Sequence, residues 1–378
     1  MSGLFDPIQI RGVSLKNRIA VSPMSQYRAE NGYANDWHLV HLGRFALGGA
    51  GLVFAEATAV EADGRRTHGD LGLWENEQIE PLLRITKFIA AEGSVPGIQL
   101  GHAGRKASER RPWHGETPVD LEDEKERNEA PWEAIAPSAI PYADGWPTPL
   151  EMTETKIEQT LLAFRSAARR SKEAGFKAIE IYAAHGFLVH QFLSPISNKR
   201  TDKWGGDAQG RRRFAIELAR AIRAEWPEEY PLMFRLSATD WLEGGLEVED
   251  VVDTARMLVD EGVDMIDCST GGIGGRERPQ RMKIAQGFQV PFADRIRKEA
   301  GIATMAVGFL WDAKSCQAII ESGNADMIAM ARELLDDPNW PLHAAAELRA
   351  DERYSMWHSE FGWWLDKRER LVRKLGLR

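Results

Sequence analysis

The run TETKIEQTLLAFRSAARRSKEAGFKAIEIY, residues 153–182, decides the fold. Its first part has helical period: Ile157, Leu161, Phe164 and Ala168 fall at i, i+4, i+7 and i+11, on one face. Thr155 and Glu158 have capping-box spacing, so a helix is predicted to begin after Thr153. Gly175 ends it as a C′ glycine. Ala178–Tyr182 then reads as a short buried strand, bounded by turn residues.

The same alternation extends in both directions. Short apolar runs read as strands at Ile19–Met24, Gly51–Ala57, Val95–Leu100, Ala178–Tyr182, Leu232–Leu236, Met265–Ser269, Thr304–Gly308 and Met327–Ala331. Eight strands alternating with helices predict a single (β/α)8 TIM barrel over residues 1–378. An open doubly wound sheet would usually carry a G-x-G-x-x-G turn. The glycine clusters at 48–51 and 271–275 do not spell one. Length alone would allow two or three domains, but no linker or internal repeat divides the 378 residues. The longest interruption, 110–151, follows the third strand. It is read as a capping insertion over the barrel mouth, because long loops without structure are uncommon unless they cover a site. Residues 351–378 form a C-terminal tail.

A net charge of -9 argues against nucleic acid, whose partners need a basic face. Two cysteines, Cys268 and Cys316, are too few for a disulfide framework or a cysteine-based metal cluster. No run approaches the ~18–20 apolar residues of a membrane helix, and the N-terminus does not read as a signal peptide. A cytoplasmic protein with no membrane partner is expected. No carboxylate–histidine cluster has zinc spacing, so no metal site is expected. His38 and His41 read as packing residues on a helix.

Barrel enzymes place their chemistry at the C-terminal ends of the strands and bind phosphate after strands seven and eight. Gly308 and Arg332 stand there, a glycine for close backbone approach and an arginine for charge. A surface arginine beside a tight turn would look the same. Other strand ends are polar too: Ser22–Tyr27, Gln99–Lys106 and Tyr182–Phe187. Arg235 sits within an apolar strand with no obvious acidic neighbour, which calls for an anionic or electron-rich partner.

Several of these stretches resemble signatures of the Old Yellow Enzyme family. They include Asn17-Arg18-Ile19, Ser22-Pro23-Met24, His102-Ala103-Gly104-Arg105 and the run from His185 to Pro195. Asn198–Asp202 with Trp204-Gly205-Gly206, Arg235–Trp241, and Ala331-Arg332 before Asp337-Pro338 continue the likeness in order along nearly the whole chain. The branch most similar is that of bacterial xenobiotic reductases and thermophilic-type ene-reductases.

The resemblance implies a TIM barrel holding FMN, with NADPH or NADH as hydride donor and an activated alkene, nitro compound or other small molecule as acceptor. It places Pro23, Met24 and Ser25 beside the isoalloxazine, Ala57 and Gln99 at its pyrimidine edge, and Arg235 where negative charge develops on reduction. It gives Gly308, Ala331 and Arg332 the phosphate. It assigns Tyr182 and His185 to the acceptor's oxygen, with Tyr27 and Phe187 beside the substrate. Three positions depart from the family pattern: Tyr182 replaces a histidine, Phe187 the usual proton-donating tyrosine, and Ser25 a cysteine. Tyr27, Tyr182 or water must then provide the proton. Tyr182-x-x-His185 is also similar to the trimethylamine dehydrogenase barrel, which leaves an amine-oxidising alternative. A degenerate flavin binder is the third reading. Thirteen tryptophans stand beside six tyrosines, several of them in the insertion and the tail. In the related branch the tail crosses a dimer interface, so a homodimer or homotetramer is expected, with Trp364 or Arg368 reaching a neighbouring site.

Overall fold

Pro23 has no N–H to give a neighbouring strand, and the first barrel strand stops two residues before it. The computed structural model describes residues 3–275 and 279–377. Its barrel strands are β1 (Ile19–Val21), β2 (Leu52–Ala59), β3 (Val95–Gly101), β4 (Ala178–Ala183), β5 (Leu232–Ser237), β6 (Met265–Ser269), β7 (Ala303–Ala306) and β8 (Met327–Met330). They pair in parallel in chain order, and β8 closes on β1 with Ile328 opposite Ile19. All eight expected strands are present, and each lies within three residues of its expected bounds. Among the described residues no helix is long and apolar enough to cross a membrane.

Alternation along each strand sorts the barrel interior into layers. At the bottom, Ala178, Met233, Met265, Met305 and Met327 pack with Phe54. The hairpin Ile8–Ile10/Val13–Leu15 plugs this end through Ile10, Val13 and Leu15. Two residues further along their strands come Glu180, Arg235 and Asp267, and then Tyr182, Ser237 and Ser269 at the mouth. The out-facing residues, such as Ile179, Phe234 and Ile266, join the larger core under the helices.

The helix Glu154–Glu173 buries Ile157, Phe164 and Ala168 as its period requires. Its cap is Thr153, whose side chain accepts from Lys156 N, while Thr155 lies inside the helix. Glu154 in the first turn suits the helix dipole, and Gly175 follows in the left-handed conformation at φ +81°.

The insertion has more structure than its composition suggests. Asp120 caps a helix at Leu121–Arg127, and Asp123, fully buried, pairs with Arg110 at 2.8 Å and with Arg127. The short strands Ile135–Ala136 and Leu150–Glu151 pair in parallel. The insertion is tied to three other loops at the barrel mouth. Trp132 Nε1 donates to Asp63 O, Tyr142 Oη to Gly275 O, and Arg200 Nη1 to Pro137 O.

A buried network fixes the turn after β4. Asp240 accepts from His190 Nε2 at 2.8 Å, Ser194 Oγ at 2.7 Å and Leu246 N at 2.8 Å. Gly186 N donates to His190 Nδ1, so Nε2 carries the His190 proton. Burial works to raise the Asp240 pKa, but His190 and the hydrogen bonds outweigh it and hold the carboxyl below its ordinary value. Removing one partner of such a network leaves the others buried and unpaired. Asp240→Ala is therefore expected to cost about 3–5 kcal/mol of stability in urea titration. Because the folded pKa is depressed, the stabilisation from Asp240 is present above the ordinary aspartate value. It is lost as pH falls through the lower folded value.

Candidate active site

A cavity of about 460 Å³ opens at the C-terminal face of the barrel. Five of the expected residues line it: His185, Arg235, Gly308, Ala331 and Arg332. So do residues the sequence did not single out, among them Ser269, Thr270, Gln289 and Phe309. Pro23, Met24, Ser25 and Tyr27 follow β1, half-buried, and Tyr27 takes a left-handed φ of +57°. Ala57 and Gln99 are register partners on β2 and β3. The register shifts between Ala55 and Ala57, and the intervening Glu56 binds Gln26 N at 2.7 Å and lies 3.1 Å from His38 Nε2. His38 thus holds the segment after β1 through Glu56. Burial pushes the His41 pKa down to about 3.

Beneath the mouth lies a charged layer. Gln99 donates to Glu180 at 2.7 Å, and Arg235 Nε stands 3.3 Å from Asp267 Oδ2. The expectation that Arg235 lacks an acidic neighbour is corrected here, because the barrel brings Asp267 and Glu180 to it from adjacent strands. Glu180 Oε2 and both Asp267 oxygens have no hydrogen-bond donor among the described residues. Burial raises the Glu180 pKa, and Asp267 raises it further. Burial raises the Asp267 pKa as well, against the pull of Arg235, so the pair resists ionising at both groups. The Arg235 side chain still reaches the cavity. Burial alone would lower the Arg235 pKa, but Asp267 and Glu180 outweigh it, so the guanidinium stays charged.

At the mouth, Tyr182 Oη lies 2.9 Å from His185 Nδ1, and His185 Nε2 lies 2.6 Å from Ser269 Oγ. Burial, then Arg235 and Lys106, push the His185 pKa well below its ordinary value. The imidazole is neutral and has a single N–H. When Ser269 donates to Nε2, Nδ1–H donates to Tyr182 Oη, and the phenol proton is left for a bound group. The sequence suggested two donors side by side. The structure instead joins them in series with Ser269, and the His185 tautomer sets which end of the series carries a free proton.

The FMN implied by the resemblance fits this cavity. Gly308 has φ +112°, and a Cβ there would meet Gln289 at 3.1 Å, so only glycine leaves the backbone open. Arg332 stacks over Phe309, 4.4 Å from its ring centroid. A phosphate would find there a cation in fork geometry, and a flavin ring would find Arg235 deeper in the mouth. Trp364 does not join this cavity in its own chain. It lines an apolar groove with Leu47, Pro338, Trp357 and Phe361 and is 62% exposed.

Glu61, Asp63 and His102 approach closely enough to hold a cation. Lys156 Nζ already lies 2.8 Å from Glu61 and 3.6 Å from Asp63. His102 Nδ1 accepts from Gly104 N at 2.9 Å, so its Nε2 carries a proton rather than a free lone pair.

A family model described as NADH:flavin oxidoreductase / NADH oxidase matches residues 3–351. An NADPH dehydrogenase of Geobacillus sp. (strain WCH70) is 43% identical over 362 residues, covering 95% of this chain and 98% of that protein. A 2-naphthoyl-CoA reductase complexed with 2-naphthoyl-CoA is similar with a TM-score of 0.81 and 28% identity, over 91% of this chain and 52% of that one. A morphinone reductase variant complexed with tetrahydroNAD is similar with a TM-score of 0.75 and 25% identity, over 93% and 92% of the two chains.

Proposed function

Because the chain belongs to the NADH:flavin oxidoreductase / NADH oxidase family, the Old Yellow Enzyme family, and is an FMN-dependent NAD(P)H oxidoreductase, we propose that its acceptor is an activated alkene, with nitro compounds as a related class. The observation that carries this reading is the Ser269–His185–Tyr182 chain, whose Ser269 and His185 line the cavity and which frees the Tyr182 hydroxyl for an acceptor when Ser269 donates to His185. FMN, held in this cavity, would supply the hydride carrier between NAD(P)H and the acceptor.

The protein's own groups stabilise charge around that transfer. Tyr182 donates to the acceptor's carbonyl or nitro oxygen as negative charge develops there. His185 and Ser269 fix the orientation of that donor. Arg235 would balance the negative charge that reduced FMN carries. Gln99, Ala57, Pro23, Met24 and Ser25 would contact its ring, and Gly308, Ala331 and Arg332 would hold its phosphate. Tyr27 contributes shape and a hydroxyl at the substrate side, with Phe187 as an apolar wall. Insertion 110–151 borders the adjoining second cavity through Glu116 and Tyr142. The similarity to a reductase complexed with tetrahydroNAD supports a nicotinamide donor.

The tail helix Ser359–Lys374 exposes Phe361, Trp363 and Trp364. Exposed aromatic clusters favour interfaces, so this helix pairs two copies of the chain, with Trp364 directed to the neighbouring site. Light scattering is expected to show at least a dimer, and Trp364→Glu to shift it towards monomer. An unchanged mass in that variant would remove Trp364 from the interface.

Anaerobic mixing tests the direction of the reaction. NADPH should bleach the flavin and 2-cyclohexenone restore its colour. Bleaching by a methylated amine alone would select amine oxidation instead.

A further inference from the structure

Alkene reduction needs a proton at the α-carbon, and Phe187 has none to give. Its ring stacks on Tyr182 with centroids 4.0 Å apart and packs against Ala103, Ala107 and Trp132. Burial raises the Tyr27 pKa, so that phenol holds its proton tightly. The Tyr182 proton points to the acceptor's oxygen. One further acid stands at this wall. Lys106 Nζ lies 5.8 Å from the Phe187 centroid and 4.8 Å from that of Tyr142.

Lys106 ends the short turn Gly104–Lys106 after β3 and is 8% exposed. Its one hydrogen bond among the described residues goes to His185 O, at 3.0 Å. An ammonium has three N–H donors, so two remain for other partners. The backbone is shaped to admit it. His185 and Gly186 both have positive φ, and a Cβ on Gly186 would meet Gly272 O at 2.3 Å and Lys106 Cδ at 3.3 Å. Lys106 is not in the lining of the first cavity but in that of a second, of about 370 Å³, which shares Thr270, Met282 and Ile284 with the first. Water entering that cavity can reprotonate it.

We propose that Lys106 delivers the proton to the acceptor's α-carbon, in the role for which Phe187 is unfit. This rests on the alkene reading. As hydride adds to the β-carbon, the π pair moves toward the carbonyl as an enolate. The α-carbon then takes H⁺ from Lys106, so a C–H bond forms and an N–H bond breaks. The N–H pair stays on nitrogen as a neutral amine, which water reprotonates. Burial and the nearby Arg66 push the Lys106 pKa down to about 7. Arg105 also lowers it, while Glu109 and Glu116 raise it. An acid near the working pH both holds and releases its proton.

The test uses the holoenzyme in D2O with 2-methyl-2-cyclohexenone, whose α-carbon becomes a stereocentre. The native enzyme should deuterate one face. Lys106→Met should lose that facial selectivity and turn over about 10²-fold more slowly, and ethylamine should restore part of the rate to Lys106→Ala. Competitive acylation of the native protein across pH should place the Lys106 pKa near neutrality, a readout independent of turnover. Retained selectivity in Lys106→Met, or an acylation pKa near the ordinary lysine value, overturns the proposal and leaves alkene reduction standing. Failure of the native enzyme to reduce any enone overturns both.

Discussion

Tyr182→Phe is expected to slow acceptor reduction by about 10²–10³-fold, the usual cost of removing one donor to a developing oxyanion. The series arrangement makes the effect large, because neither Ser269 nor His185 then has a proton left to point outward. His185 keeps its contact with Ser269 in that variant, and hydride uptake from NADPH should change little. Stopped-flow measurement of the two half-reactions separates these cases. Ser269→Ala should act more weakly, by about tenfold, since it removes one neutral hydrogen bond that biases the His185 tautomer. Because burial drives the His185 pKa well below its ordinary value, no limb from His185 should appear near pH 6–7 in the rate profile. A Tyr182→Phe enzyme that reduces enones at the native rate would move the oxygen site elsewhere.

The second large effect concerns cofactor retention. Arg332→Met should weaken FMN binding by about 10³-fold. The substitution removes two charge-assisted hydrogen bonds of about 1.5–3 kcal/mol each to a phosphate, and the loss is partly offset by the remaining backbone donors. Riboflavin provides the control, as it lacks the phosphate, and its affinity should be nearly the same in native and variant proteins. Flavin fluorescence quenching on titration into apoprotein measures both. Equal losses for FMN and riboflavin would show that Arg332 shapes the cavity generally instead of holding the phosphate.

The barrel was legible because each strand is a short apolar run and each helix a longer periodic one. Errors arose where one residue overrides the pattern. Pro23 ends β1 early. Thr153 outcompetes Thr155 as a cap because its side chain reaches Lys156 N. The insertion reads as loop because its charges look solvated, yet Asp123 is buried between Arg110 and Arg127.

The site divides in the same way. Gly308, Arg332, Arg235, Tyr182 and His185 could be read because they stand at strand ends. Ser269 could not, since its part depends on β6 lying beside β5 and on a hydrogen bond to a residue 84 positions away. The pairing of Glu180 with Asp267 beneath Arg235 likewise follows from the register of β4, β5 and β6. Inward alternation on those strands, each with one charge among apolar residues, is the signal in the sequence that could have found Glu180 and Asp267.

In the proposed reaction, hydride passes from NAD(P)H through the bound flavin to an activated alkene. NADPH carrying deuterium at the transferred position, reacted with 2-cyclohexenone, makes that route visible. One deuterium is expected at the product's β-carbon and a solvent hydrogen at the α-carbon. Oxidation of NADPH with unlabelled or unreduced enone would contradict it.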